Sequence, residues 1–277
     1  MSKAKYAPEG FVPAPDPWEA LYQAKERGLT VDAQVAALDF PDNTPTWVLT
    51  FPDFPGVRGL VPASESGLPD KALMPRFVGQ PVRVKIRGLD RGNGLAACSR
   101  REAVAEAAAE LLPKLAENPD IILDGVVRCI APAGDGAPPK LMVDIGGGVL
   151  AEVPRSQALV WLTKPLGAQY APGQQVKVKI TRVDPQAGRI EGSIRKALPD
   201  PWERADFRRG QFISGTVART QDGKYVWVEP DLAPGILGLA PYPVIGSVAR
   251  GDRVSCAVAS FDRAAKKLRL RLRGRLA

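Results

Sequence analysis

Pro55-Gly56-Val57-Arg58-Gly59-Leu60-Val61-Pro62 returns late in the chain as Pro234-Gly235-Ile236-Leu237-Gly238-Leu239-Ala240-Pro241. A second phrase, Asp-Pro-Trp-Glu, stands upstream of each copy, at 16–19 and at 200–203. Self-similarity at long spacing marks a small module used more than once. Function is therefore to be sought in a repeated unit rather than in a single cleft.

Working outward, three runs align with one another: Val82–Ile86, Val176–Ile180 and Val254–Val258. Each alternates apolar and outward residues, the period of a half-buried strand. Each follows a glycine (Gly79, Gly173, Gly251) and precedes an aspartate in a turn (Asp90, Asp184, Asp262). A last strand closes each unit, at Leu95–Arg100, Ile190–Arg195 and Leu268–Arg273. The middle unit lacks a good copy of the opening phrase, but Val153-Pro154-Arg155-Ser156 stands where Val61-Pro62-Ala63-Ser64 stands in the first. Spacing and turn density suit small closed barrels of five strands. WEALYQAKER (18–27) reads as a short amphipathic helix stopped by Gly28, and 101–117 as the one strong helix, kinked or ended near Pro113. The expected plan is a flexible arm (1–17), a first repeat with its leading helix (18–100), a helical linker (101–118), and second and third repeats (119–198 and 199–277).

Composition narrows the chemistry. The 277 residues include no histidine, which removes the commonest general base and metal ligand together. Three scattered cysteines suit neither a disulfide framework nor a zinc site. No pair of carboxylates or activated nucleophile stands out, so neither catalysis nor a cofactor nor a metal is expected. No apolar run suits a membrane span or a signal peptide, so a cytoplasmic protein without membrane contact is expected. The net charge of +8 divides as +1 for residues 1–100, zero for 101–200 and +7 for 201–277. The last module thus offers a polyanion-facing surface, or a solvated basic tail. Gly146-Gly147-Gly148 lacks a following Gly-Lys-Ser/Thr and helix, and reads as a tight turn rather than a phosphate loop.

These residues resemble the RNA-binding repeat of ribosomal protein S-one, a five-stranded OB-fold barrel. In the first module the resemblance rests on WEAL (18–21), GVRGLVPASE (56–65) and VGQPVRVKIRGLDRGNGLAACSRREA (78–103). The middle module matches through PGQQVKVKITRVDPQAGRIEGSIRK (172–196), and the last through PGILGLAP and RGDRVSCAVASFDRAAKKLRLRLR (250–273). The resemblance implies an all-β chain of three tandem OB barrels joined by short helices. It also implies single-stranded RNA as partner, with the ribosomal small subunit as a further one. By the family's register, the stacking aromatic of the second strand falls at Trp47, Met142 and Trp227, with Tyr225 on the same face and Phe40 as a second stacking residue. Arg100 and the arginines Arg269, Arg271 and Arg273 are expected on the phosphates. Alternatively the aromatics fill barrel cores, and the closing arginines blunt an edge strand. RNA-facing repeats of the family often carry histidine where Pro62, Pro154 and Pro241 stand here, and repeats with proline there tend to contact protein. The competing function is therefore a scaffold whose barrels dock onto a ribosome, polymerase or nuclease. Trp18 and Trp202 are read as packing short helices against the barrel that follows.

Overall fold

A computed structural model describes residues 16–276 apart from 119, 133–137, 185–187 and 222. Fifteen described strands close into three barrels of five. The first joins β1 (Thr30–Asp39), β2 (Thr46–Thr50), β3 (Arg58–Pro62), β4 (Pro81–Asp90) and β5 (Leu95–Ser99) in the order β1-β2-β3-β5-β4. The second uses β6 (Ile122–Ala131), β7 (Lys140–Asp144), β8 (Leu150–Pro154), β9 (Gln175–Asp184) and β10 (Arg189–Ser193). The third uses β11 (Phe212–Gln221), β12 (Tyr225–Pro230), β13 (Gly238–Pro241), β14 (Arg253–Asp262) and β15 (Lys267–Arg275). In each barrel one parallel pair, β3–β5, β8–β10 or β13–β15, completes an otherwise antiparallel ladder. The chain is all-β with few short helices, as three tandem OB folds require. It divides into two compact units, one of residues to Glu110 with Gly147–Val149, the other of Leu111–Gly146 and Leu150 onward.

The repeated phrases have separate physical causes. Gly56 and Gly235 turn the chain into β3 and β13 at φ +87° and +86°, a region that L side chains rarely adopt. Gly59 and Gly238 face inward beneath the facing strand. A Cβ there would come within 2.9 Å of Phe51 Cζ and 2.4 Å of Leu270 Cδ1 respectively. In Asp-Pro-Trp-Glu the aspartate caps a helix. Asp16 accepts the Trp18 N–H at the start of α1 (Pro17–Glu26), and Asp200 accepts that of Trp202 at a helical turn over Pro201–Arg204. Arg91 and Lys266 also donate to these two carboxylates. The expected arm thus gives up Asp16 and Pro17 to α1, while residues 1–15 lie outside the described residues. Trp202 packs as expected, stacked on Phe261 at 6.1 Å, against a core of Ile213, Val217, Val226, Val228, Val254 and Leu268.

The closing strands differ from their expected ends. β5 stops at Ser99 and β10 at Ser193, because each serine hydroxyl accepts a backbone N–H three residues on, from Glu102 and Lys196. After Ser99 the chain turns directly into α2 (Arg100–Glu117), which continues through Pro113 rather than ending there. In the third barrel the same register position is Arg271, opposite Ala257 as Ser99 is opposite Lys85 and Ser193 opposite Lys179. Arginine cannot act as this cap, and β15 runs on for nine residues where β5 and β10 have five.

All three cysteines are buried, and burial pushes the Cys98 thiol up to about 12 and that of Cys256 to about 11.

Candidate nucleic-acid interface

The outer surface of the third barrel carries one row of residues paired across four strands. Arg219 on β11 faces Trp227 on β12, Trp227 faces Leu239 on β13, and Leu239 faces Arg269 on β15. Residues paired across a ladder share a face, so all four side chains stand together. A bulge at Ala218 brings Arg219 into this row. The Arg219 guanidinium lies 4.6 Å from the centroid of the Trp227 indole. Trp227 is half-buried, and its Nε1 has no hydrogen-bond acceptor among the described residues. Tyr225, two residues back on the same face, is exposed and stands opposite Gln221 and Pro241.

The equivalent rows elsewhere have different chemistry. In the first barrel the row is Ala37, Val48, Leu60 and Ala97, apolar or small throughout. In the second it is Cys129, Met142, Glu152 and Glu191. Cys129 and Met142 are buried there, so that row presents two glutamates, one of them bound to Lys140 at 2.7 Å. Ion pairing differs in the same direction. In the first barrel Arg83, Lys85 and Arg87 of β4 pair with Asp32, Glu106 and Glu102. Arg219, Arg269, Arg271 and Arg273 have no carboxylate partner among the described residues.

Two expected site residues need correction. Trp47 is fully buried, packed on Phe77 at 5.4 Å, and its Nε1 donates to the Met74 carbonyl at 2.9 Å. Its partners across the ladder are Leu38 and Val61, which makes it the counterpart of Leu141 and Val226, while Val48 matches Trp227. A one-residue slip of register turns a side chain from one face to the other, and the expected alignment of Trp47 with Trp227 contained that slip. Arg100 is also buried, at 2% exposure. It donates to the carbonyls of Ser66 and Gly148 at 2.9 Å each and lies over the Phe77 ring, where no phosphate can reach it.

The remaining residues lie at the surface. Phe40 is 57% exposed before the turn Pro41–Asn43, in the barrel whose row is apolar. Leu268 and Leu270 point into the third core, Leu272 packs against it, and Arg269, Arg271 and Arg273 are exposed. Arg219 was not among the expected residues. A bulge sets its register, and no sequence period reports a bulge.

A search for matching models of protein families finds none. Curated relatives are found. Small ribosomal subunit protein bS1 of Streptococcus pneumoniae R6 is 31% identical over 201 residues, covering 68% of this chain and 45% of its own length. The bS1 protein of Leuconostoc lactis is 29% identical over 238 residues, covering 80% and 52%. The chain thus spans about half the length of these relatives. A solved multidomain protein with nucleic acid binding domains from Streptococcus pneumoniae TIGR4 aligns with 90% of this chain and 75% of its own. Its identity is 15% and its TM-score 0.26, too low to add to the comparison. The strand order of the three barrels and the bS1 relatives agree, and the chain belongs to the ribosomal protein S-one type family of OB-fold repeats.

Proposed function

We propose that the chain binds single-stranded RNA without catalysis, through the outer face of its third barrel, in cytoplasmic translation or RNA metabolism. The observation that carries this reading is the row Arg219–Trp227–Leu239–Arg269, which sets a stacking ring between two cations without a carboxylate partner among the described residues. A base stacked on the indole is worth about 1–3 kcal/mol, and the exposed guanidinium it displaces about 0.5–1. The exchange favours the base and frees Arg219 for a phosphate. Tyr225 offers the next base a second ring. Stacking accepts any base, so sequence tolerance follows, and a duplex, with its bases already stacked, gains little.

The middle barrel is read as protein-facing, because its equivalent row is acidic. The bS1 relatives are named as proteins of the small ribosomal subunit, which makes that subunit the partner to test.

The test is equilibrium binding of the whole chain to an unstructured pyrimidine- or A-rich oligomer and to a hairpin stem of equal length. At least tenfold preference for the oligomer is expected. Equal affinity would overturn the reading.

A further inference from the structure

The uncapped end of β15 exposes a surface that the other two barrels do not have. In the first barrel, the register row Thr30–Lys85–Ser99 ends in a serine with no exposed surface, at the point where the chain turns into α2. In the second barrel, Ile122–Lys179–Ser193 ends in the same way at the 3-10 turn Arg195–Ala197. In the third barrel the row is Phe212–Ala257–Arg271, and the strand continues past it. Phe212 is 69% exposed, and the Arg273 guanidinium stands 5.9 Å from its ring centroid. Neither Arg271 nor Arg273 has a carboxylate partner among the described residues.

A large apolar ring left in water beside two guanidinium groups that lack a carboxylate partner among the described residues has the composition of a stacking site for an anionic chain. We propose that Phe212, Arg271 and Arg273 form a second stacking site for single-stranded RNA, distinct from the Trp227 row and joined to it by β15. This rests on the reading of the chain as an RNA binder. Arg269 ends the first row and Arg273 reaches the second, and four residues of strand separate them by about 13 Å. An oligomer seated on Trp227 and Tyr225 therefore continues along Arg269, Arg271 and Arg273 and stacks a further base on Phe212.

The site shows itself in the length dependence of binding. The whole chain is titrated with an oligouridine of about four nucleotides and one of about twelve, at one salt concentration. The variants are Trp227→Ala, Phe212→Ala and Phe212→Tyr, each with a thermal melt to confirm folding. Trp227→Ala should weaken both oligomers. Phe212→Ala should leave the short one unchanged and weaken the long one about tenfold, the value of one stacked base. Phe212→Tyr, which keeps the ring, should restore long-oligomer binding. If Trp227→Ala weakens binding while Phe212→Ala has no effect at either length, the second site is wrong and the RNA reading stands. If neither variant weakens binding, both fail. Equal losses at both lengths for Phe212→Ala would overturn a separate second site.

Discussion

The first and third barrels share strand order, the bulges of their first and fourth strands and the glycine phrase that seats β3 and β13, yet their outer faces have opposite character. In the first, the tryptophan of β2 is core, the cations of β4 are paired with carboxylates, and the last strand gives way to a helix. In the third, the tryptophan of β12 is outside, Arg269, Arg271 and Arg273 of β15 have no carboxylate partner among the described residues, and the strand runs on. What separates them is small in sequence: one position of register for a tryptophan, and arginine in place of a capping serine. A barrel core tolerates such changes on its outer face because inward positions alone decide closure.

The sharpest way to break this comparison is to truncate the two tryptophans. Trp47→Ala should cost about 3–5 kcal/mol of stability, from lost packing on Phe77, with the Met74 carbonyl left without its donor. It should leave the RNA affinity of the folded protein unchanged. Trp227→Ala should do the reverse, losing about 1–3 kcal/mol of binding with a small change in denaturation midpoint. Weakened RNA binding by folded Trp47→Ala would end the distinction.

Replacing Arg269, Arg271 and Arg273 together by Gln should flatten the plot of log K against log salt by about 2, at roughly 0.7 per phosphate. Folding should survive, since Leu268 and Leu270 keep the core. An unchanged slope in the folded triple variant would assign the strand to solubility. A smaller effect runs the other way. Val48→Trp with Ala97→Arg writes part of the third row onto the first barrel, and in the Trp227→Ala background should recover RNA binding several-fold. No recovery would mean that more than this row is needed.

The smallest effect concerns the cap of the third barrel. The Lys266 ammonium, and then the Trp202 N–H, hold the Asp200 carboxyl below its ordinary range. The folded value lies below the unfolded one, so the stability it gives is present above about pH 4 and drains as pH falls through the folded value. Asp200→Asn should therefore lower the urea midpoint at neutral pH, and the gap to the parent should narrow in acid. A gap of constant size would rule out the linkage.

Much of this was legible in the chain. The Pro-Gly-x-x-Gly phrase gave away the module because two of its glycines answer hard steric demands, a left-handed turn and a contact with no room for a Cβ. The alternation of Lys267–Leu272 placed leucines and arginines on their proper faces because a strand has a period of two, and a bulge at Arg273 still leaves that side chain outside. Trp47 was misread because its neighbours alternate equally well in either register. Counting back from the shared proline would have separated them: Pro62 lies 15 residues after Trp47, and Pro241 only 14 after Trp227. Arg100 was misread because a serine hydroxyl, not a change of hydrophobic period, ends β5. Arg219 depended on a bulge, which leaves no mark in composition.

Glu229 stands two residues along β12 from Trp227, on the same outward side, and is 1% exposed. Its carboxylate accepts the backbone N–H groups of Leu162, Thr163 and Gly235 and the Thr163 hydroxyl, at 2.6–2.8 Å. Leu162 and Thr163 belong to the stretch between β8 and β9. The strand that offers the indole is therefore fastened at its other end to the middle repeat. Under a pulling load, tension on a threaded RNA would pass along β12 into these bonds, and through the three from Leu162 and Thr163 into the neighbouring repeat rather than into the third barrel alone. A single-molecule stretching trace should then show the second and third repeats yielding together, and Glu229→Ala should split that event in two.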